Sequence, residues 1–184
     1  MYFAALLART EDGWEASDTE LDNVETLSDL ADLARDHRDT VDADDDTVLV
    51  FIEQEDAWFG VVRVDGEDDP RIYVSDAAAA ARSSYGEILL TDEMLGRDPD
   101  DDPADDLDAL DLDGTEDGEP ENSAAADDGE ADGDEAVPAG PLGDAEILGD
   151  LGVPEKELLA LESGDALGEI AEILGAAEVL ETVR

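Results

Sequence analysis

Cysteine is absent from the 184 residues, so neither a disulfide nor a thiolate metal site is open to this chain. Histidine occurs once, at position 37, and lysine once, at position 156. A lone histidine with no nucleophile or metal partner fixed by spacing makes no acid–base pair. His37 is read instead as a helix-terminal residue that complements the helix dipole. Basic residues are scarce, 9 against 56 acidic ones, for a formal net charge of -47. That field repels phosphate backbones, which argues against direct nucleic-acid binding, and it steers basic partners toward the chain. Long hydrophobic runs are missing too: none approaches the ~20 apolar residues that span a bilayer. Met1–Ala8 lacks a basic leader and runs straight into Arg9-Thr10-Glu11-Asp12, so it is not read as a signal peptide. A soluble, cytoplasmic protein without membrane contact is the expectation.

What is present centres on Thr47–Ser75. TVLVFIEQ and AWFGVVRV read as neighbouring strands, joined at Glu55-Asp56, and RIYVS reads as a shorter third after Asp65–Pro70. Val48–Ile52 is an unbroken apolar run, suited to a strand covered on both faces. In the next strand Trp58, Gly60, Val62 and Val64 fall on one side, with Phe59 and Val61 on the other until Arg63 ends the row. Residues 2–9 and 13–16 predict two further strands around a turn at Glu11-Asp12-Gly13. Trp14 is placed near a sheet edge. Leu27, Leu30, Ala31 and Ala34 recur at helical spacing, with Thr26-x-x-Asp29 as a capping box. Asp76 caps a helix over Ala77–Ala81, Tyr85–Leu90 fits either helix or strand, and Thr91–Leu95 predicts a short last turn.

Composition changes abruptly after Arg97. Residues 98–135 hold 19 acidic residues and no basic one, a pattern that predicts a self-repelling disordered linker. Adaptation to high salt and the composition of a GC-rich genome both account for such acidity. The second is favoured, because the densest acid sits in a linker. Helical periodicity returns at 142–184, where Leu167, Ile170, Ala171 and Leu174 form one stripe. Ala176, Val179, Leu180 and Val183 form another, out of phase across Gly175. Short helices broken at Gly152, Gly164 and Gly175 predict a mini-bundle of marginal size that docks on the preceding residues or on a partner. The expected fold is α+β: a mainly antiparallel sheet with helices on one face (1–97), the acidic linker (98–141) and a small C-terminal helical segment (142–184).

Few residues offer chemistry. Asp113-x-Thr115-x-Asp117-Gly118 imitates an EF-hand start, but its twelfth position is Ala124 where a bidentate glutamate is required. Asp128-x-Glu130-x-Asp132-Gly133 fails in the same way at Ala139. No Gly-x-Ser-x-Gly elbow surrounds Ser83-Ser84, and no glycine-rich phosphate loop is followed by Lys-Ser/Thr. No metal ligand set or cofactor site is therefore expected. Trp58, Phe59 and Tyr73 lack the cationic surround that a base-stacking platform needs, and are assigned to the core. Arg63 and Arg71 flank the Asp65–Pro70 turn and are candidates for receiving an anion or a partner's carboxylate, with pairing to local acids the simpler reading. Leu107, Leu110 and Leu112 interrupt the acidic stretch and are candidates for docking on a partner.

Three runs, MYFAALLARTEDGWEASDTELDNVETLSDLADLAR, TVLVFIEQEDAWFGVVRVDGEDDPRIYVSDAAAAARSSYGEILL and LGDLGVPEKELLALES, carry a resemblance. They are similar to the actinobacterial tRNA adenosine deaminase-associated protein family, over nearly all of residues 1–96 and much of 142–184. The resemblance implies association with a tRNA adenosine deaminase and brings no catalytic motif. The chain lacks the His-x-Glu and Pro-Cys-x-x-Cys pattern of a zinc deaminase, so it is not the deaminase itself. Three readings follow. The first is a non-catalytic accessory protein of that deaminase. The second is an acidic decoy or regulator of other basic proteins. The last, and lowest ranked, is a small-molecule enzyme with a site the sequence does not reveal.

Overall fold

The chain forms six strands, and the computed structural model describes residues 2–41, 46–96 and 137–184. In chain order they are β1 Tyr2–Thr10, β2 Gly13–Asp18, β3 Thr47–Gln54, β4 Trp58–Asp65, β5 Arg71–Val74 and β6 Leu142–Gly143. They form one antiparallel sheet in the order β2-β1-β3-β4-β5-β6. The apolar run of β3 lies between β1 and β4 and is buried on both faces, as its composition predicts.

One face carries Leu6, Ala8, Val48, Val50, Ile52, Val62 and Val64. It is covered by α1 (Leu27–Thr40), α2 (Ala77–Ala80) and α3 (Ser84–Leu89), through Leu30, Ala31, Ala34, Ala77, Ala80 and Leu89. Thr26 caps α1 in a complete capping box with Asp29, and Asp76 accepts from the Ala79 amide to cap α2. The stretch ambiguous by periodicity, Tyr85–Leu90, lies in α3 through Leu89, with the Ser83 hydroxyl accepting from the Gly86 amide at its start and Leu90 as its C-cap.

The opposite face carries Ala5, Leu7, Leu49, Phe51, Phe59, Val61 and Tyr73. The C-terminal segment covers it with α4 (Glu155–Leu158), α5 (Ala166–Leu174) and α6 (Ala177–Val183), burying Ile147, Leu148, Leu158, Leu167, Ile170 and Leu180. The N-terminal helices thus keep to one face, as expected, and the terminal helices add a layer on the other. Docking onto the sheet, one of the two alternatives for 142–184, is the one observed. Both stripes divided by Gly175 face this core, since Gly175 ends α5 in the left-handed conformation and lets α6 turn back.

Strand β6 is only two residues long and gives no periodic signal. It pairs Leu142 with Val74 and Gly143 with Tyr73, sealing the outer edge of β5. Gly143 has φ +99°, and a Cβ there would lie 2.2 Å from the Ile72 carbonyl oxygen, so the close pairing requires glycine.

Candidate functional site

Arg63 and Arg71 are direct cross-strand partners in β4 and β5. Two guanidinium groups in that register repel one another, and carboxylates from the C-terminal segment offset the repulsion. Asp150 accepts from both terminal nitrogens of Arg63, at 2.9 Å for Nη2. The Ile147 carbonyl accepts from Nη1 at 3.0 Å, and Asp65 accepts from Nε at 3.0 Å. Asp144 accepts from Arg71 Nε at 2.7 Å. The hydrogen bonds Arg63 donates to Asp150 raise the Arg63 pKa and hold Asp150 below the usual carboxylate range. The structure therefore brings the two candidate arginines together and turns both toward the chain's own acids. Leu107, Leu110 and Leu112, like most of the two EF-hand-like stretches, lie outside the described residues.

His37 sits in the last turn of α1. Its Nε2 is buried without a hydrogen-bond partner, and burial pushes its pKa down, with the charge of Glu15 acting in the other direction. The position is helix-terminal, as expected, but burial disfavours the charged form that would complement the helix dipole. Among the described residues, no group of three or more His, Asp or Glu is placed to hold a metal ion. No described helix is long and apolar enough to cross a membrane.

The surface with most character lies at the end of the sheet where β1 begins, and periodicity alone did not mark it. Two clefts of about 200 Å³ each meet at Tyr2 and Phe3. On the α3 side, Tyr2 packs edge-on against Tyr85 with ring centroids 4.6 Å apart. The Tyr2 hydroxyl shares a hydrogen bond with Ser83, and the Tyr85 hydroxyl donates to Asp22 at 3.1 Å. That bond to Asp22 raises the Tyr85 pKa. Leu21 and Ile52, both buried, also line this cleft, with the exposed Glu20 and Asp22.

On the other side is Glu53, which is 2% exposed. It stands in phase with Leu49 and Phe51 on β3, a polar residue in an apolar row, and that phase was the available sequence signal. Arg184 Nη2 donates to both Glu53 oxygens, at 3.0 and 3.1 Å, and to the Gly164 carbonyl at 3.2 Å. Its guanidinium also lies 5.7 Å from the centre of the Phe3 ring. Burial pushes the Glu53 pKa up, and the Arg184 charge partly opposes that shift. The arrangement is a guanidinium site, built from a buried carboxylate, an aromatic face and a carbonyl.

No curated protein and no solved structure matches this chain. A family model does, over residues 2–177, which takes in the sheet, the helices on its first face, and α4 and α5 on its second, and stops where α6 begins. The chain belongs to the family described as Rv3753c-like tRNA adenosine deaminase-associated protein.

Proposed function

We propose that this protein is a non-catalytic accessory partner of a tRNA adenosine deaminase in the cytoplasm, and that it engages the enzyme's basic surface. The carrying observation is the disposition of charge. Of 9 basic residues, Arg35, Arg38, Arg63, Arg71 and Arg184 are tied to carboxylates of the same chain, while the net charge is -47. A surface so arranged favours a cationic partner and disfavours RNA itself. An enzyme that holds tRNA presents a cationic face, so the accessory protein would steer the enzyme or compete with RNA for that face. Family membership supports the choice of the deaminase among basic proteins.

Residues 98–135, with 19 acids and no base, favour a second reading as a decoy for basic proteins in general. In that reading Leu107, Leu110 and Leu112 supply an apolar anchor within the acidic stretch. Co-purification with the deaminase at low and high salt, using the full chain and one lacking 98–135, separates the two. An accessory protein docked through its folded surface keeps the deaminase after the deletion. A decoy loses it, and no association at low salt would rule out the first reading.

A further inference from the structure

The two clefts that meet at Tyr2 repeat one chemistry on opposite faces of the sheet. Behind Phe3, an aromatic ring and the Glu53 carboxylate hold the guanidinium of Arg184. In front, the Tyr2 and Tyr85 rings stand beside Glu20 and Asp22 around about 200 Å³, and no basic side chain lines the space among the described residues. Tyr2 is 42% exposed, the second most exposed large apolar or aromatic side chain described. An aromatic face beside carboxylates attracts a cation more strongly than either element alone, because the ring adds quadrupole attraction without the desolvation cost of a second buried charge.

We infer that the Tyr2–Tyr85 cleft is a receptor for an arginine side chain of a basic protein partner. This rests on, and deepens, the accessory reading above by naming where the partner is held. Guanidinium is favoured over ammonium because its planar face stacks on tyrosine while its edge donates to a carboxylate such as Asp22. The Arg184 site already combines a guanidinium, a carboxylate and an aromatic ring, there Glu53 and Phe3, in this fold. Residues 98–135 carry no basic side chain to place in the cleft, and the cleft's own lining is acidic and aromatic, so a cation from a partner is the occupant that fits.

The test uses the full-length protein with 3-fluorotyrosine at its 3 tyrosines, followed by ¹⁹F NMR during titration with acetyl-Gly-Arg-Gly-amide. The citrulline peptide serves as the neutral isostere. Tyr73, 2% exposed in the core, is the internal reference. Saturable shifts are expected at Tyr2 and Tyr85, none at Tyr73, and none with the citrulline peptide. The double variant Glu20→Gln/Asp22→Asn weakens binding about tenfold, and Asp100→Asn/Asp101→Asn, removing equal charge elsewhere, weakens it less than about twofold. Glu20→Gln alone, at an exposed position, gives roughly a threefold loss without disturbing the Asp22–Tyr85 bond. Equal binding of the citrulline peptide, equal losses in the two double variants, or no saturable shift would overturn the inference. If the deaminase still co-purifies while the peptide fails to bind, the cleft assignment alone falls. If the peptide binds and the deaminase does not, the accessory reading falls instead.

Discussion

Arg63 on β4 and Asp150, 87 positions later in the chain, form a two-pronged ion pair at the edge of the second core. The Arg63 side chain is 10% exposed, against 57% for Asp150, so the loss of the acid leaves a largely buried cation short of acceptors. Asp150→Ala should therefore destabilise the protein by about 1–2 kcal/mol, the remaining bonds to Asp65 and Ile147 limiting the loss. The check is a lower urea midpoint with an unchanged slope. A neutral result would mean that the pair is held by a geometry it does not stabilise.

Glu53 gives a pH dependence of definite sign. Its folded pKa is raised by burial, so in a window just above the ordinary glutamate range the folded state keeps a proton that the unfolded state has released. Stability from this group is fully present below the ordinary glutamate range and is lost as pH rises through the raised folded value. Asp150, held low by Arg63, behaves oppositely, and its contribution is lost only as pH falls below the ordinary aspartate range. Glu53→Gln should therefore gain on the parent as pH rises above the ordinary glutamate range. Urea midpoints of both proteins at matched high salt measure the difference, and parallel pH curves would contradict the assignment.

Gly86 sets steric fit against helix propensity. Alanine in a helix interior is favoured over glycine by about 1 kcal/mol. Here, however, an added Cβ would lie 2.1 Å from the Ala80 carbonyl oxygen, a backbone atom of α2 that cannot swing aside. The clash wins. Gly86→Ala should cost about 1–3 kcal/mol net, read as a lower melting temperature.

Ile170 tests whether the terminal helices belong to the stability of the sheet. It is fully buried in the core shared with Phe51, Phe59 and Tyr73. Ile170→Ala should cost about 2–4 kcal/mol in cooperative unfolding. It should also raise amide exchange in β3 and β4 together with α5. Exchange that rises in α5 alone would show that the helices open independently.

How much of this was legible before folding depends on the range of each signal. The split of Trp58, Gly60, Val62 and Val64 from Phe59 and Val61 follows from alternation within eight residues. The capping box at Thr26 and Asp29 needs only four. Arg63 and Arg71 could be placed near each other, because one turn joins their strands, but not assigned to Asp150 and Asp144. Glu53 was hidden by the polar residues that follow it, although its phase with Leu49 and Phe51 marks the buried face.

The sequence by itself determined most strands and helices and which side of each is apolar, since period and caps act over a few neighbouring residues, but not β6 or the choice of helix at α3. Tertiary structure decided that the last helices cover the second face of the sheet, that β6 seals β5, and that Arg184 reaches Glu53 across 131 positions. Those choices depend on which apolar surfaces and opposite charges find each other after the long acidic stretch is bridged. No local pattern encodes such a pairing, because its free energy exists only once both surfaces are formed.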